Sequence, residues 1–173
     1  YVVLESEAAI IRKGKVPLAE LRGYGNANDA FHQTASSPEG IGAMNAMQQA
    51  LQTAGIAPSA VDYINAHGTA TENNDLSEGI GIQKLFGEHV PYFSSTKPYT
   101  GHTLAAAGSI EAVYSMMALQ HQMVWPNLNY VHQMPELRIS PARDLVQDIP
   151  LKNILSNSFG FGGNTSSLLI GSV

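Results

Sequence analysis

Two histidines and a lysine stand just past apolar runs. His67 follows Val61 to Ala66, while Lys97 and His102 follow the run that opens at Tyr92. A third apolar run, Ile154 to Ser158, leads into Phe159-Gly160-Phe161-Gly162-Gly163-Asn164. These segments offer imidazole, ammonium, hydroxyl and backbone N–H donors, a set suited to bonding a carbonyl oxygen or holding an anion. The chain has no cysteine, so disulfides and thiolate metal sites are excluded and no obvious nucleophile is present. Each feature also has an ordinary reading. A histidine at a strand end is often structural, a loop lysine is usually solvated, and a glycine-rich run suits a hairpin turn. As a phosphate loop the run is weak, because a strand follows it where a helix is needed. A metal held by His67, His102 and Asp75 is disfavoured, since no close ligand pair occurs; no metal is expected.

The elements that must position these groups follow from pattern. Tyr1 to Leu4 reads as a strand and Glu5 to Arg12 as a short helix ended by Gly14. Leu18 to Tyr24 has strand character before a turn-rich Gly25 to Asp29. Ser37, Pro38 and Glu39 make a helix start of cap, proline and first-turn acid. That helix carries an apolar stripe from Ile41 to Ala54 and stops at Gly55. Val61 to Ala66 is a strand, Asp75 to Phe86 a helix, and Trp125 to Pro150 irregular. Ile154 to Ser158 and Ser166 to Ile170 are the last two strands. Strands alternating with helices predict an α/β fold with a mixed, largely parallel sheet and helices on both faces. In such sheets ligands gather beyond the carboxyl ends of the strands, so the loops at 67–75, 94–102 and 158–164 are expected to meet.

The segment after Tyr92 organises the rest. Leu104 to Leu119 is apolar on nearly every face, with Glu111 as its only charge, which predicts a helix buried all round. Thr100 or Thr103 is its expected cap, placing His102 at the positive end of the helix dipole, where the imidazolium is disfavoured.

Composition narrows the class. With 173 residues, a 44% hydrophobic and a 13% charged fraction, the chain suits one globular domain. A net charge of −5 without a basic patch argues against nucleic acid as a partner. No run is long enough to span a membrane and no signal peptide is evident, so a cytoplasmic location is expected. The opening Tyr-Val-Val-Leu-Glu reads as the inside of a strand, and a fragment is expected.

Three motifs carry a resemblance. They are Asn65-Ala66-His67-Gly68-Thr69-Ala70-Thr71 with Asp75 and Glu78; Ser95 to Thr103 with Ala106-Ala107-Gly108 and Glu111; and Asn157 to Asn164. In this order and spacing, over essentially the whole chain, they resemble the C-terminal signatures of the β-ketoacyl-[acyl carrier protein] synthases. Gly23-Tyr24-Gly25 with Asp29 and His32 is similar to the segment preceding them.

The resemblance implies the C-terminal half of a thiolase-like fold, with the Leu104–Leu119 helix in a shared, buried middle layer. Residues 1–15 would be the tail of the N-terminal half and 16–173 the C-terminal β-ketoacyl synthase domain. The implied reaction is decarboxylative Claisen condensation of malonyl-carrier protein with an acyl thioester, in fatty acid or polyketide-type biosynthesis. His67 and His102 match the catalytic histidines. Lys97 matches an essential lysine, with Glu78 and Glu111 as its expected acidic partners and Asp75 beside them. Thr69 and Thr71 match hydroxyls that bond the phosphopantetheine arm of acyl carrier protein, the substrate carrier; no permanent cofactor is implied. Phe161 matches a gating residue whose N–H completes an oxyanion hole, flanked by Phe159, Gly160 and Gly162. The family's nucleophilic cysteine has no counterpart here, so the chain alone is expected to be inactive. Its partners would be the N-terminal half, fused or separate, acyl carrier protein, and a second subunit in a homodimer or heterodimer. A non-catalytic, chain-length-factor-like partner domain is the alternative. Asn164-Thr165 also departs from the family's Thr-Asn order, which puts the local turn bonds in question.

Overall fold

The computed structural model describes all 173 residues, Tyr1–Val173. Five strands form one sheet: β1 (Glu20–Asn28), β2 (Tyr63–Asn65), β3 (Tyr92–Ser94), β4 (Asn153–Phe159) and β5 (Asn164–Gly171), in the order β1-β5-β4-β2-β3. The sheet is mixed. β3, β2 and β4 run parallel, β5 pairs antiparallel with β4, and β1 pairs antiparallel with β5, so β5 alone runs opposite to the other four. The antiparallel pairs are the longer ones.

Side-chain alternation sorts the core. Tyr63, Ile154 and Ile170 stand in one row across β2, β4 and β5, while Ile64, Leu155 and Leu169 form the next. The first row packs with Ala112, Ala118 and Leu119 of α5 (Ala107–His121). The second packs against Ala43, Met47, Ala50 and Leu51 of α2 (Ile41–Ala54) and Ile82 and Phe86 of α3 (Glu72–Phe86). A one-residue slip of any central strand would exchange the two sets, so burial holds the register.

Several boundaries differ from the sequence reading. Tyr1 to Leu4 is not a strand; it is largely exposed and pairs with nothing in this chain. It leads into α1 (Glu7–Lys13), capped by Ser6 and ended by Gly14. β1 continues through the expected turn to Asn28, because Gly23 and Gly25 serve close packing there. A Cβ on Gly25 would lie 2.1 Å from the Ala46 carbonyl of α2. The free edge of β1 is capped as well: Thr53 and Gln49 of α2 accept from the N–H groups of Tyr24 and Asn26 at 3.0 and 3.2 Å. That blunts an edge open to further strand pairing. α2 starts at Ile41 with Gly40 as its cap, while the Ser37 hydroxyl accepts from Glu39 in the preceding turn. α3 starts three residues early, which puts both Glu72 and Asp75 in its first turn.

The largest departure concerns the apolar helix. A four-residue turn, α4 (Lys97–Thr100), and a 3₁₀ turn at Leu104–Ala106 precede α5. Neither threonine caps it, because Ala106 occupies the cap position and the Thr100 hydroxyl donates to the Gly101 carbonyl. Nor is α5 covered all round within this chain. Val113 and Met117 are exposed and, with Ile110, Tyr114 and Tyr1, they line an apolar hollow of about 370 Å³.

Candidate active site

Because β2, β3 and β4 are parallel, their carboxyl ends lie along one sheet edge, and the three expected loops do meet there. His67 stands two residues past β2 and is buried. Its ring lies 5.3 Å from the Phe159 ring at the end of β4 and 5.4 Å from that of His102, edge-on. The turn before it is tight: Gly68 has φ +43°, and a Cβ there would meet that of Ser95 at 2.5 Å.

Lys97, also buried, directs its ammonium at three acceptors: the Glu111 carboxylate, the His67 carbonyl, and His67 Nδ1 at 3.1 Å. An ammonium has three protons and no lone pair, so all its donors are used and it must donate to Nδ1. The neutral imidazole of His67 then carries its own proton on Nε2. His102 reaches the same tautomer differently. Its ring is exposed, and Nδ1 accepts from the Leu104 N–H at 3.1 Å, so Nε2 holds the proton in the neutral ring. The dipole of a full helix is not what touches it, since α5 starts five residues later.

Burial of His67, then the Lys97 charge, then His102, push its pKa from 6.5 down to about 3. It is a neutral donor at physiological pH. Asp75 moves the other way, raised chiefly by burial although the Asn74 amide and the N–H groups of Ala70 and Thr69 oppose the shift. Glu78 is likewise raised by burial.

The acidic partners divide. Glu111 pairs with Lys97, but Glu78 does not touch it. Glu78 accepts from the backbone N–H groups of His67 and Gly68, both at 2.9 Å, and from the Asn157 amide at 3.0 Å. The lysine has no donor left, and the carboxylate on α3 faces the loop backbone instead. Asp75 also bonds within its own helix turn and not to Lys97.

The outer residues are less gathered. Thr69 and Thr71 share a 2.8 Å hydroxyl–hydroxyl bond on the rim. Phe161 is 78% exposed in a turn with Gly162 at φ +79°, and the ring against His67 is that of Phe159. Gly160 N–H bonds the Asn164 carbonyl. The Asn164-Thr165 order leaves the turn intact: the Thr165 hydroxyl lies 3.1 and 3.0 Å from the Ala27 and Gly42 carbonyls, and Asn164 accepts from Asn28.

Two contributions had no role in the sequence reading. Asn157 and Asn65 are fully buried beside the site, Asn65 donating to the Glu111 carbonyl at 3.1 Å. The irregular run after Trp125 forms a wall, closing with Gly79, Phe93, Lys97 and His102 a cavity of about 640 Å³. Asn127 ties it down by accepting from the Ser95 N–H at 2.8 Å. Its prolines were the available signal, since they mark a run shaped by turns and not one free to vary. The described side chains gather no group of three or more His, Cys, Asp or Glu able to hold a metal ion.

Comparison with known proteins places this geometry. Residues 18–131 match the family model described as Beta-ketoacyl synthase, C-terminal domain. The chain is 41% identical over 170 residues to 3-oxoacyl-[acyl-carrier-protein] synthase 2 of Staphylococcus aureus, covering 97% of this chain and 41% of that protein. It superposes with a TM-score of 0.92 and 34% identity on a chain of the AntDE:AntF assembly, a type II PKS acyl-carrier protein in complex with its ketosynthase bound to the hexaketide; 98% of this chain and 42% of that one are covered. A ketosynthase in complex with its chain length factor from Xenorhabdus doucetiae is similar at a TM-score of 0.84 and 39% identity, over 92% of this chain and 40% of that one. The chain thus spans about two fifths of the relatives it matches. The family match across 18–131 and the thiolase-like architecture agree: this chain belongs to the β-ketoacyl synthases and is the C-terminal half of one.

Proposed function

We propose that this chain supplies the polarising half of a condensing site, in which His67 and His102 together hold the oxygen of a malonyl-derived enolate. The carrying observation is the shared tautomer: both Nδ1 atoms are occupied, leaving two Nε2–H donors on rings 5.4 Å apart. Donors fixed before reaction are usually a large part of rate enhancement. As carbon dioxide leaves malonyl-carrier protein, the electron pair of the broken C–C bond moves onto the thioester oxygen between these donors. The enolate carbon then attacks an acyl thioester, forming the new C–C bond and expelling the thiolate that held the acyl group. That sulfur belongs to a segment outside this chain, fused or separate, because the chain contains no cysteine. Lys97 and Glu111 keep His67 oriented, with Asp75 and Glu78 supporting the loop. Thr69 and Thr71 bond the phosphopantetheine arm of acyl carrier protein, and Phe161, with Phe159, Gly160 and Gly162, gates the site and completes the oxyanion hole. Residues 16–173 form the domain, residues 1–15 precede it, and the complete protein acts as a cytoplasmic homodimer or heterodimer.

The test is carbon dioxide release from malonyl-carrier protein by the complete protein that contains this chain. His102→Ala should abolish it; near-normal release would end the proposed role. The chain alone should acquire no acyl adduct by intact mass, and an adduct would refute its dependence on an outside sulfur. Likeness to an assembly containing a chain length factor supports one other reading, a non-catalytic partner domain. A complete protein that never decarboxylates yet is required by a separate ketosynthase would favour it.

A further inference from the structure

The Glu78 carboxylate is part of a longer buried chain of hydrogen bonds that no catalytic role uses. Asn157 on β4 and Ser167 on β5 are direct cross-strand neighbours, and both are fully buried. The Ser167 hydroxyl donates to Asn157 Oδ1 at 2.8 Å. The amide N–H group donates to Glu78 Oε1 at 3.0 Å, with Met47 Sδ at 3.4 Å, and the acceptor-only carboxylate fixes which end of the amide is which. A flipped amide would set its oxygen against a carboxylate, so only one orientation satisfies both ends. Glu78 in turn holds the N–H groups of His67 and Gly68, one on each oxygen.

We infer that Asn157 and Ser167 are positioning residues for His67, acting through Glu78. Lys97 orients the ring of His67 while this relay orients its backbone, so the direction of Nε2–H has two independent supports. The inference rests on His67 being a donor to the reacting oxygen. The charged and titratable groups around Glu78 are few: His67 on the loop it binds, Lys97 from α4, through it Glu111 from α5, and Asp75 one turn earlier on α3. From α2 the neighbour is the uncharged Met47.

Asn157→Asp is the decisive variant, because it keeps the shape and sets a carboxylate against Glu78. In the complete protein, kcat for carbon dioxide release should fall about tenfold with KM nearly unchanged, the scale of a small misplacement of a reacting group. Two adjacent carboxylates hold a proton between them well above the usual range, so activity should recover as pH is lowered from about 8 toward 6. Ser167→Ala removes only a hydroxyl and should cost about threefold, the scale of one hydrogen bond. In protein carrying ¹⁵N-labelled histidine, both variants should shift the His67 ring signals and leave those of His102 in place. Unchanged His67 signals in folded variants overturn the inference, as does an activity loss in Asn157→Asp that no pH relieves. If the parent itself releases no carbon dioxide, the proposed function fails instead, and the His67 signals still decide the relay.

Discussion

The two histidine loops reach one tautomer by opposite means. His67 is buried and held at ring and backbone by Lys97 and Glu78, partners brought from two other elements. His102 is exposed and held by a single bond from an N–H two residues along its own loop. The first arrangement depends on the whole sheet edge being folded. The second is local, and any enclosure of its ring must come from a surface packed over it. A donor pair built this way combines one rigid member with one set by short-range geometry.

Breaking the rigid side should do most damage. Lys97→Met leaves the Glu111 carboxylate buried without its cation, a change that typically costs 3 to 5 kcal/mol, about the scale expected in urea unfolding of this chain. A loss below about 1 kcal/mol would mean that water or another group replaces the ammonium.

The second contrast compares the histidines directly. His67→Gln should lower stability by about 2 kcal/mol through lost packing and an orphaned Lys97 donor, whereas His102→Gln should stay within about 0.5 kcal/mol. In the complete protein both should suppress decarboxylation, so activity and stability separate at His102 and fall together at His67. Equal destabilisation by the two would erase the distinction.

The last contrast is a pH signature. The folded pKa of His67, about 3, lies below its ordinary 6.5, so the unfolded chain binds the proton first as pH falls. The stability contributed by its neutrality is complete above about pH 6.5 and is lost progressively toward pH 3. Asp75 and Glu78, raised by burial, act with the opposite sign, so the difference between parent and His67→Gln isolates the histidine. The His67 ring should show no protonation by NMR from about pH 8 down to 5. A midpoint near 6 would place the ring in contact with water.

Much of this was legible from residue order. Short apolar runs at 61–66 and 154–158, with glycines 14, 55 and 87 behind helices, locate most elements near their observed ends. The motifs around His67, Lys97 and His102 give the candidate site. The failures share a cause. Gly25 marks a turn by propensity, yet here it lets strand and helix backbones touch. Thr100 and Thr103 suit a cap, yet intervening turns move the helix start to Ala107. Glu78 and Glu111 look equivalent as partners of Lys97, but an ammonium satisfied by three acceptors leaves one carboxylate to the backbone.

The sequence by itself determined the α/β alternation, the family, and the residue types at the three strand ends, because these depend on periodicity and local chemistry. Only the tertiary structure decided which nitrogen of each imidazole carries the proton, which carboxylate meets the lysine, and which side of the apolar helix is covered. Those outcomes depend on distances of about 3 Å between residues far apart in the chain, and no local pattern encodes them.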